Sequence, residues 1–154
     1  MDSDMRPLDL SVDPRFFDLL TSSHLRLVGK PLVPAGRGAE WLYHEANFVV
    51  VAHDAEADPL FIYANQAAQI CYGYSWDEFM ALPSRQATEV VNRAERQALL
   101  DTVTRKGFAS GYRGLRVARS GRRFWIEDGV VWQLIGDDGM LYGQAAMFRK
   151  WRAA

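Results

Sequence analysis

The chain has 154 residues, of which 49% are hydrophobic and 24% charged, with a formal net charge of −1. At this length one hydrophobic core can bury roughly 70% of the surface exposed by the unfolded chain, which favours a single folded domain over a disordered or fibrous chain. No apolar run reaches the roughly 20 residues that span a bilayer, the opening MDSDMRPLDL shows no export signal, and the lone Cys71 excludes an intramolecular disulfide and a CxxC zinc or redox site. A reducing cytoplasm is the expected location.

From Pro14 to Val28 the apolar residues Phe16, Phe17, Leu20, Leu27 and Val28 recur at helical spacing, with Asp13 as cap and Pro14 at the first helical position. Gly29, Pro31, Pro34, Gly36 and Gly38 mark a loop, and Ala39 to Glu45 reads as a second short helix. Phe48 to His53 is an apolar, β-branched run with strand character; after the turn-like Asp54 to Pro59, Leu60 to Ala64 is a second strand. Asn65 then caps a helix over Gln66 to Tyr72 that Gly73 stops. Ser75-Trp-Asp-Glu78 is an S-x-x-E capping box opening another helix that Leu82 and Pro83 end. Asn92 to Lys106 is a longer helix capped by Asn92 and closed by Gly107. Gly111 to Ala118, Arg123 to Ile135 and Leu141 to Trp151, joined by turns at Ser120-Gly121 and Gly136 to Gly139, read as three consecutive antiparallel strands.

Arg105 to Arg123 carries seven cations and no acid. Strand alternation divides them between two faces and a turn, so nucleic acid is not the expected partner. The chain has no G-x-S-x-G, HExxH, P-loop or complete G-x-G-x-x-G motif, and the side chains of His53 and Asp54, adjacent in a strand, point opposite ways. No catalytic residue is singled out, and an enzyme of unknown chemistry is the weakest of three readings.

The stretch from Phe61 through Asn65, Gly73 and Ser75 to Phe79 resembles the PAS pattern of strand, Asn-capped helix, Gly-Tyr-Ser turn and capped second helix. A wider set of residues is similar to the MEKHLA family, a PAS-related domain found alone in bacteria and at the C-terminus of plant homeodomain leucine-zipper proteins. That set includes Asp58-Pro59, Tyr63-Ala-Asn65, Leu82-Pro-Ser-Arg85, Tyr112-Arg-Gly-Leu-Arg116, Gly121-Arg-Arg-Phe124, Val131-Trp132 and Gly143-Gln-Ala-Ala146, and it extends over roughly residues 14 to 151. The resemblance implies an α+β, PAS-like fold: a five-stranded antiparallel sheet with helices on one face and an N-terminal helical extension. The expected division is a flexible N-terminus (1–13), the extension (14–46) and the PAS-like domain (47–151).

Light-sensing LOV relatives carry a reactive Cys in an Asn-Cys-Arg-Phe-Leu-Gln stretch, where this chain has Pro83-Ser-Arg-Gln-Ala-Thr-Glu89, and haem-binding relatives carry a His on the long helix, where this chain has none. Flavin photoadduct chemistry and haem are therefore not expected. The resemblance implies a stand-alone sensory module that binds a small molecule and signals to an output protein in trans or by self-association; a protein-interaction or dimerisation module without ligand is the alternative. In strand parity, Phe124, Ile126, Asp128, Val130, Trp132 and Leu134 share one face unless Gly129 introduces a bulge, and Arg113 shares a face with Leu115 and Val117. Arg113 and Asp128 are thus candidates for a buried pair beside the ligand, with Tyr63, Tyr112, Trp132 and Gln144 as further wall residues. Phe16, Phe17 and Leu20 are candidates for a homodimer interface, the competing arrangement being that their helix covers its own sheet.

Overall fold

The first helix, α1 (Pro14–Val28), forms where its periodicity predicts: the Asp13 carboxylate accepts the Arg15 amide, Pro14 occupies the first turn, and Gly29 closes the end at φ 90°, donating to the Leu25 carbonyl. The computed structural model of the protein describes residues 9–89 and 93–154. Residues 1–8 of the expected flexible N-terminus, and the expected cap Asn92, lie outside the described residues. A short α2 (Ala39–His44) precedes the hairpin of β1 (Val49–Asp54) and β2 (Phe61–Ala64). Next come α3 (Gln66–Tyr72), capped by Asn65 and ended by Gly73 at φ 80°, and α4 (Trp76–Met80), with the Ser75/Glu78 capping box in place. A 3-10 turn (Ser84–Ala87) and the short β3 (Thr88–Glu89), neither legible in the sequence, lead to α5 (Arg93–Lys106). Strands β4 (Phe108–Val117), β5 (Arg123–Ile135), β6 (Leu141–Phe148) and β7 (Lys150–Ala153) complete the chain.

The strands form one antiparallel sheet in the order β2-β1-β6-β5-β4-β3, with β7 paired to β5. Five strands become seven because β3 adds an edge pairing and the expected last strand is interrupted at Arg149. Alternation of side chains divides the core into two layers. On the inner face, Val49, Val51, Phe61, Phe124, Ile126 and Phe148 pack with Ala68, Cys71, Tyr72 and Phe79 of α3 and α4. On the outer face, Phe48, Val50, Tyr63, Val130, Trp132 and Leu134 pack with Phe16 and Leu20 of α1 and Leu42 of α2. Asn65 ties the two layers: its side chain accepts the Val50 and Ala68 amides and donates to the Leu42 and Phe48 carbonyls, using donor and acceptor ends alike.

Helices therefore lie on both faces, and α1 covers its own sheet. Phe16 and Leu20, expected at a homodimer interface, are buried within this chain, and Phe17 is half-buried in the same cluster. Burial of such side chains is worth roughly 1.5–3 kcal/mol each, and polar contacts fix the helix in place. The Trp132 indole donates to the Leu20 carbonyl at 3.2 Å, and Ser23 Oγ bonds both the amide and the carbonyl of Ile135 at 3.0 Å.

Two facing irregularities set which residues look inward. Between the pairs Ala109–Val131 and Tyr112–Gly129, β4 holds one residue more than β5, with Gly111 at φ 67°. Between Tyr112–Gly129 and Gly114–Ile126, β5 holds the extra residue, with Asp128 at φ 53°, the only described non-glycine residue at positive φ. Each bulge reverses the parity of its strand. Phe124 and Ile126 consequently face inward while Val130, Trp132 and Leu134, also even-numbered, face outward.

Candidate functional site

Between the inner face of the sheet and the helical side lies a cavity of about 480 Å³, within the range of small-molecule sites. Val51, Phe61, Leu99, Val131 and Ala146 give it apolar walls, and His53, Tyr72, Tyr112, Arg116 and Gln144 supply polar groups. The sheet contributes most of these through strand alternation: Val51 and His53 from β1, Gln144 and Ala146 from β6, Tyr112 and Arg116 from β4. Helix α5 contributes Arg96, Leu99 and Leu100.

Arg116 is half-buried, and its Nη2 donates to the Tyr112 hydroxyl at 3.0 Å while Nη1 donates to the Leu115 carbonyl at 3.2 Å. Among the described residues no carboxylate forms an ion pair with it; Asp13, Asp58, Glu78 and Glu127 pair with Arg15, Arg85, Arg119 and Arg152 instead. Burial opposes the guanidinium charge, but the Tyr72 and Tyr112 hydroxyls outweigh it, so the Arg116 pKa lies above the ordinary arginine value. Burial in turn pushes the Tyr72 phenol up to about 12, with the Arg116 charge acting the other way, so Tyr72 stays neutral at physiological pH.

Gly114 explains how the Tyr112–Arg116 contact fits. The three residues alternate onto one face of β4, and a Cβ at position 114 would stand 2.3 Å from the Tyr112 hydroxyl oxygen and 3.0 Å from Arg116 Nη1. The phenol thus crosses the space that a side chain at 114 would fill. A second close approach positions His53 and Gln144, which are paired across β1 and β6. Beside them, a Cβ on Gly143 would come within 2.1 Å of the His53 carbonyl oxygen.

The His53 ring lies 2.8 Å from the Asp54 carbonyl through Nδ1. A carbonyl only accepts, so Nδ1 carries the proton and the neutral ring leaves Nε2 as an acceptor. Burial chiefly, and the Arg116 charge in addition, lower the His53 pKa below 6.5 against the opposing pull of Asp54.

Of the residues singled out from sequence, Tyr112 and Gln144 line this cavity. Tyr63 and Trp132 do not: both are in the outer layer beneath α1. Arg113 and Asp128 do not form the expected buried pair. The β4 bulge leaves Arg113 on the outer side, exposed and stacked over Trp125 at 4.0 Å, and Asp128 is exposed at the left-handed corner of the β5 bulge. The arginine that faces inward is Arg116. The signal for it was the tract Tyr112-Arg-Gly-Leu-Arg116 with Gly111 before it, where glycine permits both the bulge and the phenol's passage. Cys71 is buried in the inner core, does not line the cavity, and has its thiol pushed up to about 12 by burial.

A second, more open groove of about 740 Å³ runs between α5 and β4 and includes Arg113, Trp125, Phe108 and Lys106. Among the described residues no group of His, Cys, Asp and Glu is placed to hold a metal, and no helix is long and apolar enough to cross a membrane.

The family model described as the MEKHLA domain matches residues 14–153. No curated protein matches the chain. Among solved structures, the chain is similar to the PAS domain of a protein from Colwellia psychrerythraea, with TM-score 0.59 and 18% identity over 75% of this chain and 92% of that one. It is also similar to the photo-excited blue-light photoreceptor Vivid (TM-score 0.55, 14% identity, 84% of this chain and 92% of that one). The dark form of the blue-light photoreceptor Aureochrome1 LOV matches at TM-score 0.52 and 21% identity, over 68% of this chain and 73% of that one. At these identities the likeness is one of fold, a PAS/LOV-like antiparallel sheet with helices.

Proposed function

The chain belongs to the MEKHLA domain family, a PAS-like sensory domain, and from that premise we propose that it binds a small molecule in the inner-face cavity and reports its occupancy to a partner protein or a second copy. The observation that carries this reading is the cavity itself. In a filled core the inner layer would close over Val131 and Ala146, whereas here about 480 Å³ is bounded by apolar walls and a few convergent polar groups, as in small-molecule sites.

Helix α5 offers a route for the signal. Among the described residues Val103 is its only buried side chain, yet it supplies Arg96, Leu99 and Leu100 to the cavity wall. An occupant touching those side chains biases the position of a helix that little else holds, and that differential contact is what shifts a population. The LOV-type photoreceptors share the fold, but the buried Cys71 lies off the cavity, so flavin-adduct chemistry forms no part of this proposal. A cytoplasmic location accords with the single reduced thiol.

Native mass spectrometry of the purified protein and of Ala146→Phe, which fills the cavity, tests the proposal. A small-molecule adduct present on the parent and lost from the folded variant is expected. Equal adducts on both, or none on the parent together with no stabilisation by any member of a metabolite library, would refute it.

A further inference from the structure

Among the described residues, the cavity carries a positive charge that no carboxylate pairs. Asp58 is the one acid among its described lining residues, and Arg85 holds it at 3.0 Å. Burial and the Arg116 charge favour the neutral form of His53, and Arg96 is exposed at the margin. Arg116 therefore stands as the interior cation. Of its five N–H donors, the Tyr112 hydroxyl, the Leu115 carbonyl and the Tyr72 hydroxyl engage three, which leaves two, enough for a two-pronged contact. Hydroxyl and carbonyl oxygens hold this guanidinium, and an anionic guest would add the countercharge that none of the described residues supplies. Gly114 opens the space through which Tyr112 steadies the group.

We propose that the ligand of this cavity is a small organic carboxylate with an apolar body, received by Arg116; the inference rests on the ligand-binding reading above and narrows it to one chemical class. A carboxylate matches the planar fork of a guanidinium in shape and cancels its single charge. A phosphate dianion would leave one charge uncompensated against walls such as Val51, Phe61 and Val131, which instead suit a hydrocarbon body. The Gln144 amide and His53 Nε2 line the same space and offer further polar contacts to the guest.

The test is calorimetric titration of the full chain with acetate, butyrate, octanoate, benzoate and phenylacetate, each matched with its primary amide, and with inorganic phosphate. At least one acid is expected to bind about tenfold or more tightly than its amide. Arg116→Met should weaken that acid by about tenfold or more while leaving the amide unchanged, and Arg116→Lys should restore part of the loss. If Arg116→Met does not fold, Tyr112→Phe takes its place, and a severalfold loss confined to the acid is expected. Amides that bind as well as acids, phosphate that binds better than any acid, or acid binding indifferent to these variants would overturn the carboxylate assignment and leave the ligand-binding reading standing. If no probe binds, the molecule extracted from the native adduct decides: a carboxylate supports the assignment and a neutral molecule overturns it. No probe and no adduct would overturn both.

Discussion

The two faces of the sheet are built from the same strands and finished differently. The outer face is sealed: α1 places Phe16 and Leu20 on Tyr63 and Trp132, and the polar edges of Ser23 and Trp132 find backbone partners. The inner face is sealed only at the end covered by α3 and α4; under α5 it opens into the cavity around Arg116. The contrast also appears in the helices. Helix α1 buries Phe16, Leu20, Ser23 and His24, whereas α5 buries Val103 alone among its described residues. Stability is thus concentrated on one face and room for a guest on the other, the expected separation when a site must stay adaptable on a fixed scaffold.

Mutations can break this contrast. Trp132→Ala removes the largest fully buried side chain of the outer layer and should cost about 3–5 kcal/mol in urea unfolding, without changing ligand selectivity. Leu99→Ala, at a half-buried cavity wall, should cost well under the 2–5 kcal/mol typical of a sealed core leucine, and equal costs on the two faces would refute the distinction. Gly143→Ala tests the seam shared by both faces. Its Cβ would meet the backbone of His53 rather than a movable side chain, so a destabilisation of about 1–3 kcal/mol or more is expected, together with displaced His53 and Gln144 resonances.

Two of the three histidines, His24 and His53, sharpen the comparison, one on each face. His24, carried by α1 and buried against Trp132 with Nδ1 donating to the Lys30 carbonyl, is held below 6.5 chiefly by burial, and so is His53. The unfolded chain binds these protons more readily than the folded one. Their contribution is therefore complete above 6.5 and is lost as pH falls below it, so urea midpoints should drop between pH about 7 and about 5. Arg116→Met should raise the His53 pKa, because it removes a nearby charge, and leave His24 where it was, as followed by imidazole proton shifts. The smallest effect is expected for Arg113→Met, which removes an exposed cation from the face of Trp125 and should cost less than about 1 kcal/mol.

Local chemistry made most of the fold legible. Asp13 with Pro14, Asn65 with Gly73, and the Ser75/Glu78 box each fix a helix end within a few residues, and the structure keeps them all. Strand β3 escaped because its two residues pair only through contacts with Arg116 and Leu115, more than twenty positions along the chain. The site was harder to read because period-two reasoning assumes an unbroken ladder. One extra residue in each of β4 and β5 turns Arg113 outward and Arg116 inward and moves Trp132 to the other layer. Gly129 had suggested a bulge, and the αL residue proves to be Asp128 beside it, a residue type that tolerates that region. The destination of α1 was open in sequence because an amphipathic helix fits its own sheet and a partner's equally well.

The claim on which all of this depends is that the inner face receives the ligand and the outer face does not. Amide chemical-shift mapping with the carboxylate panel measures it directly. The account predicts perturbations at His53, Tyr72, Tyr112, Arg116 and Gln144, with Phe16, Leu20 and Trp132 unmoved; perturbations centred on α1 and Trp132, or an unmoved Arg116, would contradict it.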